Sequence, residues 1–279
     1  MRLVAAALLI AAVVTLNPRQ AASAFELKPA TLAAYERYIT LTEARLAREL
    51  SGASPFLWMD RQPEDERRRH MTALASGEVV VSPLKTRDGR NGIDVPSGLI
   101  HHWIGTVLLP GVRLDRALAF VRDYARYPDH FRPLILRSHV LRGAGDRFDV
   151  RMRTSMSKMM VTVVLDADYA VEYRTIGPNR TFTRSIASNV AQIHDAGGAT
   201  ERREPADQGS GWLWRIATWC SFDERPEGTY EQCESASLTR GIPFAVAWIV
   251  NPFVNSIPRE SLAFTLSQVR AAVATDSRR

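Results

Sequence analysis

Hydrophobic and polar positions change rhythm near residue 98. Upstream, Leu32, Tyr35, Ile39, Leu46 and Leu50 recur at three-to-four spacing with charges between them, which predicts a helix over 29–51. PEDERRRHMTAL, opening at Pro63, predicts a second, short helix ending near Gly77. GEVVV (77–81) predicts a strand and RDGRNG (87–92) a turn. Residues 25–97 therefore read as a helical extension with one hairpin.

From Gly98 strands dominate. LIHHWIGTVLL (99–109) predicts a strand, and PGVRLDRALAFVRDYARY (110–127) a helix with Leu114, Leu118 and Val121 on one stripe. YPDHFRP (127–133) allows one more helical turn. Six further strands are expected at 134–142, 146–156, 159–173, 180–193, 211–222 and 229–239, with a polar loop over 195–211. Leu262, Leu266, Val269 and Val273 predict a long amphipathic C-terminal helix with Pro258 in its first turn.

Several strands alternate. Phe148, Val150, Met152 and Met156 face one way, and Arg147, Asp149, Arg151 and Arg153 the other. Met159, Val161, Val163, Leu165, Ala167, Tyr169 and Val171 share a face in the next strand. The pattern is that of an antiparallel sheet with one dry face and a helix to cover it. The chain is expected to be α+β.

The strands flanking DERPEG (223–228) carry the two cysteines. Symmetric pairing about that turn sets 222 opposite 231 and Cys220 opposite Cys233. An oxidising compartment favours a disulfide there; the alternative is two buried free thiols.

The N-terminus bears on the compartment. Arg2, an apolar core from Leu3 to about Leu16, Pro18 and the small-residue pattern Ala22-Ser23-Ala24 have the layout of a cleavable export signal. The apolar run is shorter than the roughly 20 residues of a spanning helix, and a retained anchor is the alternative. The expectation is a 1–24 signal, a mature chain from Phe25 and a periplasmic or secreted location. Losing Arg2 and Arg19 takes the net charge from +6 to +4, too weak an excess to argue for nucleic acid.

Candidate chemistry is sparse. His101 and His102 are strand neighbours, so they point to opposite faces and cannot ligate one metal side by side. His102 shares a face with Ile100, Ile104 and Leu108, and His101 with Trp103, Gly105 and Val107. Both faces are apolar, so cover is expected on both sides, with the extension the obvious second layer. Each ring is expected to be satisfied by a nearby group, with His102 as a ligand contact the other reading. No H-x-H, H-E-x-x-H, G-x-S-x-G or phosphate-loop pattern occurs, so no metal, cofactor or catalytic residue is assigned. Arg184 shares a face with Phe182, Ile186 and Val190, and either that face or the small one, Thr183, Ser185 and Ala187, is inward.

GLIHHWIGTVLLPGVRLDRAL, followed by DYARYPDHFRP and closed by SIPRESLAFTLSQVR, carries a resemblance over residues 98–274. In these segments and in element order the chain resembles the START-like superfamily, the helix-grip fold of polyketide cyclase/dehydrase, lipid-transfer and birch-pollen-allergen-like proteins. The extension 25–97 is outside the usual core. The resemblance implies a seven-stranded curved antiparallel sheet gripping the C-terminal helix within a ligand-binding domain over 98–279. It also implies a cavity between sheet and helix for an apolar or amphipathic small molecule.

Residues expected to line that cavity are His102, Ile104, Phe148, Val150, Met152 and Val163, with Arg184, Trp214 and Ile216 from later strands. Trp248, Phe253 and Leu266 are expected from the helix side. The function expected is an exported binder or carrier of a lipid or other hydrophobic molecule, with transient membrane contact. The alternatives are a cyclase/dehydrase-type enzyme using His102, Arg184 or nearby acids, and a ligand-free periplasmic structural or interaction module. Oligomeric state leaves no signal.

Overall fold

The computed structural model describes residues 26–158, 161–241 and 244–276, without the side chains of 53, 244–255, 275 and 276. The expected export signal lies outside the described residues, as do Met159 and Met160 and the side chains of Trp248 and Phe253.

The extension opens with α1 (Pro29–Arg48), whose buried stripe is Thr31, Tyr35, Tyr38, Thr42 and Leu46. A turn at Glu49–Ala53 and another at Trp58–Arg61 lead to α2 (Glu64–Ser76). Gly77 ends α2 at φ 98°, a left-handed conformation that favours glycine. The strand expected in GEVVV is β1 (Val80–Pro83), and the turn cluster forms the small hairpin β2 (Arg87–Asp88) and β3 (Asn91–Gly92).

Next come β4 (Gly98–Pro110), α3 (Leu114–Arg122) and α4 (Tyr127–Phe131). The strands β5 (Ile135–Ala144), β6 (Arg147–Lys158), β7 (Val161–Gly177) and β8 (Arg180–His194) follow. The short β9 (Arg202–Arg203), then β10 (Arg215–Arg225), β11 (Gly228–Arg240) and α5 (Phe244–Asp276) complete the chain.

The seven strands expected from residue 98 onward lie in one antiparallel sheet in the order β4-β11-β10-β8-β7-β6-β5. Two additions make it nine-stranded: β1 pairs with β4 at one edge, and β9 pairs with β8. The β10–β11 register places Phe222 opposite Glu231 and Cys220 opposite Cys233, the pairing expected from the turn. The cysteines form a disulfide.

The two faces are covered differently. On the inner face, Val107, Leu109, Phe222, Val150 and Val171 join Leu262, Leu266, Val269 and Val273 of α5 in one core. Gly105 lets α5 approach, because a Cβ there would lie 2.7 Å from Leu266 Cδ1. On the outer face the extension covers the β4, β11, β10 and β8 half, where Tyr38 and Leu46 meet Phe182, Ala217, Trp219 and Ala236. Over β6 and β7 that face carries cross-strand ion pairs, Arg147–Glu172, Arg151–Asp168 and Arg153–Asp166 at 2.6–3.1 Å.

Two expectations about boundaries need correcting. The final helix begins at Phe244, so Pro258 lies within it, even though proline deprives the helix of one backbone donor. β10 begins at Arg215, so Trp212 and Trp214 precede the strand. Trp214 then turns to the outer side and packs with Leu27, Tyr35 and Leu238, apart from Phe222 in the inner core.

Candidate functional site

The inner face is built from alternate residues of adjacent strands. Register aligns Trp103, Ser235, Thr218 and Ser185 across β4, β11, β10 and β8, with Cys220 and Ile216 two residues either side of Thr218. All six side chains are half-buried, although each belongs to a strand paired on both sides. Their outward neighbours Ala217, Trp219 and Ala236 are sealed beneath α1. The remaining exposure therefore lies on the inner side of the sheet. Ser235, Thr218 and Ser185 are short, and β8 also turns Thr183 and Ala187 inward. Arg184 takes the opposite phase and pairs with Glu43 of α1 at 2.6 Å, on the outer side.

The expected lining set divides between the faces. Phe148, Val150 and Met152 of β6, Val163 of β7, Ile216 of β10 and Leu266 of α5 lie on the inner side. Arg184, Trp214, His102 and Ile104 lie on the outer side. Strand alternation puts Ile104 and His102 together, and both faces of β4 are apolar, so composition could not tell which one met α5.

Two ionisable groups of β4 and β11 on the inner face are His101 and Glu231. His101 Nε2 is 3.0 Å from the Thr239 hydroxyl, and burial pushes its imidazole down to about 4. Glu231 is 4% exposed, lies between Val107 and Phe222 on the neighbouring strands, and its Oε2 has no hydrogen-bond partner. Burial pushes its carboxyl up to about 8. Its Oε1 is 3.6 Å from Cys233 Sγ, a sulfur that carries no proton because it is in the disulfide. The cluster Cys220, Glu231 and Cys233 accordingly offers no thiolate to a metal while that bond is intact. His101 pairs with Ser237, six residues along β11 from Glu231, a separation of about 20 Å at strand rise. An acid and a base so far apart cannot serve one bond.

On the outer side, α1 supplies what the histidine needs. The Tyr38 hydroxyl lies 2.8 Å from His102 Nδ1 and accepts the Thr86 N–H at 2.8 Å. His102 Nε2 lies 2.7 Å from Glu234 Oε1. With a proton on Nε2 the ring donates to Glu234, and Nδ1 accepts from the Tyr38 hydroxyl. Arg45 also binds Glu234, and although burial pushes the Glu234 carboxyl up, the His102 hydrogen bond and the Arg45 guanidinium hold it below the usual range. Sequence pattern alone does not single out Tyr38, Glu43 and Arg45. Their signal is the α1 stripe itself, which carries hydroxyls and charges among its apolar positions.

No family model matches the chain, and no curated protein matches it. Among solved structures it is similar to the STAR-related lipid transfer protein of Xanthomonas axonopodis, with 16% identity and a TM-score of 0.45 over 70% of this chain and 98% of that one. It is also similar to the Zhui aromatase/cyclase of Streptomyces sp. R1128, with 8% identity and a TM-score of 0.41 over 63% and 94%. A START superfamily protein of Mycobacterium smegmatis is similar at 11% identity and a TM-score of 0.37 over 64% and 97%. These three solved structures are a lipid-transfer, an aromatase/cyclase and a START-superfamily protein.

Proposed function

We propose that the chain is an exported carrier that holds a lipid or other hydrophobic small molecule between the inner face of the sheet and α5. One observation carries the reading: the mid-sheet residues Trp103, Ser185, Thr218 and Ser235 keep solvent exposure on the inner side of the sheet. A closed core would have covered them with larger side chains.

Affinity in such a space comes from burial. Each methylene removed from water contributes about 0.8 kcal/mol, so about ten reach micromolar affinity in gross terms, before association costs. The serine and threonine hydroxyls of β8, β10 and β11 would orient a polar tip, and movement of α5 or an adjoining loop would admit the ligand. Transfer then involves brief membrane contact.

Export is supported by the targeting pattern of residues 1–24 and by the disulfide, which persists in oxidising compartments. Among the described residues no helix is long and apolar enough to cross a membrane. The test is organic-solvent extraction of the purified protein followed by mass spectrometry, with fatty-acid, sterol and phospholipid probes offered to the stripped protein. A co-purifying lipid or a saturable probe supports the carrier. Protein that is empty and binds none of the probes contradicts it.

A further inference from the structure

The extension and the sheet frame an open cleft of about 420 Å³ on the side away from α5. His102 lies at its floor, with both ring nitrogens already engaged. Arg45, Arg61 and Lys85 reach the walls together with one carboxylate, Glu49, and the apolar side chains of Trp58 and Leu84.

The charges do not cancel. Glu49 is shared by Arg45 at 3.0 Å and Arg61 at 2.7 Å, and Glu234 behind the floor takes the other contact of Arg45. Two carboxylates thus serve two guanidiniums. Lys85 is the surplus cation: it is exposed and makes no ion pair among the described residues. Trp58 is held in place from behind, stacked on His70 with ring centroids 5.8 Å apart and planes 25° from parallel. A positioned indole beside a surplus ammonium and a guanidinium is a surface for a flat molecule with a negative end.

We propose that this cleft is a second binding site, for a small soluble organic oxyanion, a phosphate monoester or a carboxylate on a flat apolar body. The oxyanion sits on Lys85 and on the Arg61 N–H groups that Glu49 leaves free, and the body lies against Trp58 and Leu84. The volume falls within the roughly 300–1,000 Å³ of small-molecule pockets. The site shares no residue with the space beneath α5, so each can be lost without the other.

The test is calorimetric titration of the whole protein with phenyl phosphate and with benzoate. Saturable binding of either is expected, weakened about tenfold or more in Lys85→Glu, the effect of losing one charge-assisted contact. Arg142→Glu makes the same charge change on β5 at the far edge of the sheet, where the side chain is 86% exposed, and should bind like the parent. Apolar probes beneath α5 should bind Lys85→Glu unchanged. The proposal is overturned if neither anion binds, if Lys85→Glu binds as well as the parent, or if Arg142→Glu loses as much. Lys85-dependent binding to phosphatidylglycerol vesicles, with neither soluble anion bound, would also overturn it.

Discussion

His102 Nε2 lies 2.7 Å from Glu234 Oε1 on the face of the sheet that meets α1, not the face that meets α5. The pair fastens the extension to the sheet, because Tyr38 and Arg45 of α1 close it from above. Removing His102 takes one hydrogen bond from the buried Glu234 carboxylate, which keeps its contact with Arg45. His102→Ala should therefore cost about 1–3 kcal/mol in urea unfolding and speed proteolysis of the extension. Affinity for apolar probes beneath α5 should change little. Loss of probe affinity with the extension still docked would place His102 at the ligand after all.

Glu231 sets a pH dependence. Its folded carboxyl titrates near 8 against an ordinary 4.5, so the native state keeps a proton that the unfolded chain has lost between those values. The contribution to stability is full below about pH 4.5 and declines as pH rises through about 8. Glu231→Gln should flatten that decline, and at pH 9 should be the more stable protein by a few kcal/mol, on the order set by the shift. Parallel pH–stability curves for the two proteins would refute this.

The Cys220–Cys233 disulfide closes a loop with a sequence separation of 13. By the loop-entropy account its reduction should lower stability by about 3 kcal/mol, with the sheet retained because β10 and β11 remain paired along their length. Urea midpoints with and without a dithiol reductant measure this.

Gly105 limits how closely α5 seats. A methyl group added at residue 105 would lie 2.7 Å from Leu266 Cδ1, so Gly105→Ala should cost about 1–3 kcal/mol by overpacking. Leu266→Ala in the same chain should recover part of that loss. Double-mutant unfolding checks the coupling, and simple additivity of the two losses would mean that helix and strand do not meet there.

Much of this arrangement was legible from residue order. The register of β10 on β11 followed from the symmetric turn at 223–228, and the inner faces of β6 and β7 followed from alternation. Other features were not legible for definable reasons. Arg184 sits in a strand with an apolar and a small-residue phase, and what decides between them is Glu43, 141 positions away. His102 has apolar neighbours on either side of its strand, so its face depends on which helix arrives there. Trp214 continues the strand pattern in sequence, yet the chain bends before Arg215 and carries the ring under α1.

The central claim is that space remains between the inner face and α5. Thr218→Leu and Ser235→Leu fill that space from the middle of the sheet without touching the α1 side. Titration of stripped protein with a fluorescent fatty acid should show saturable binding to the parent and at least about tenfold weaker binding to the double variant, with unfolding midpoints equal or higher. Equal affinity in the two proteins, or no binding to the parent, would contradict the carrier account.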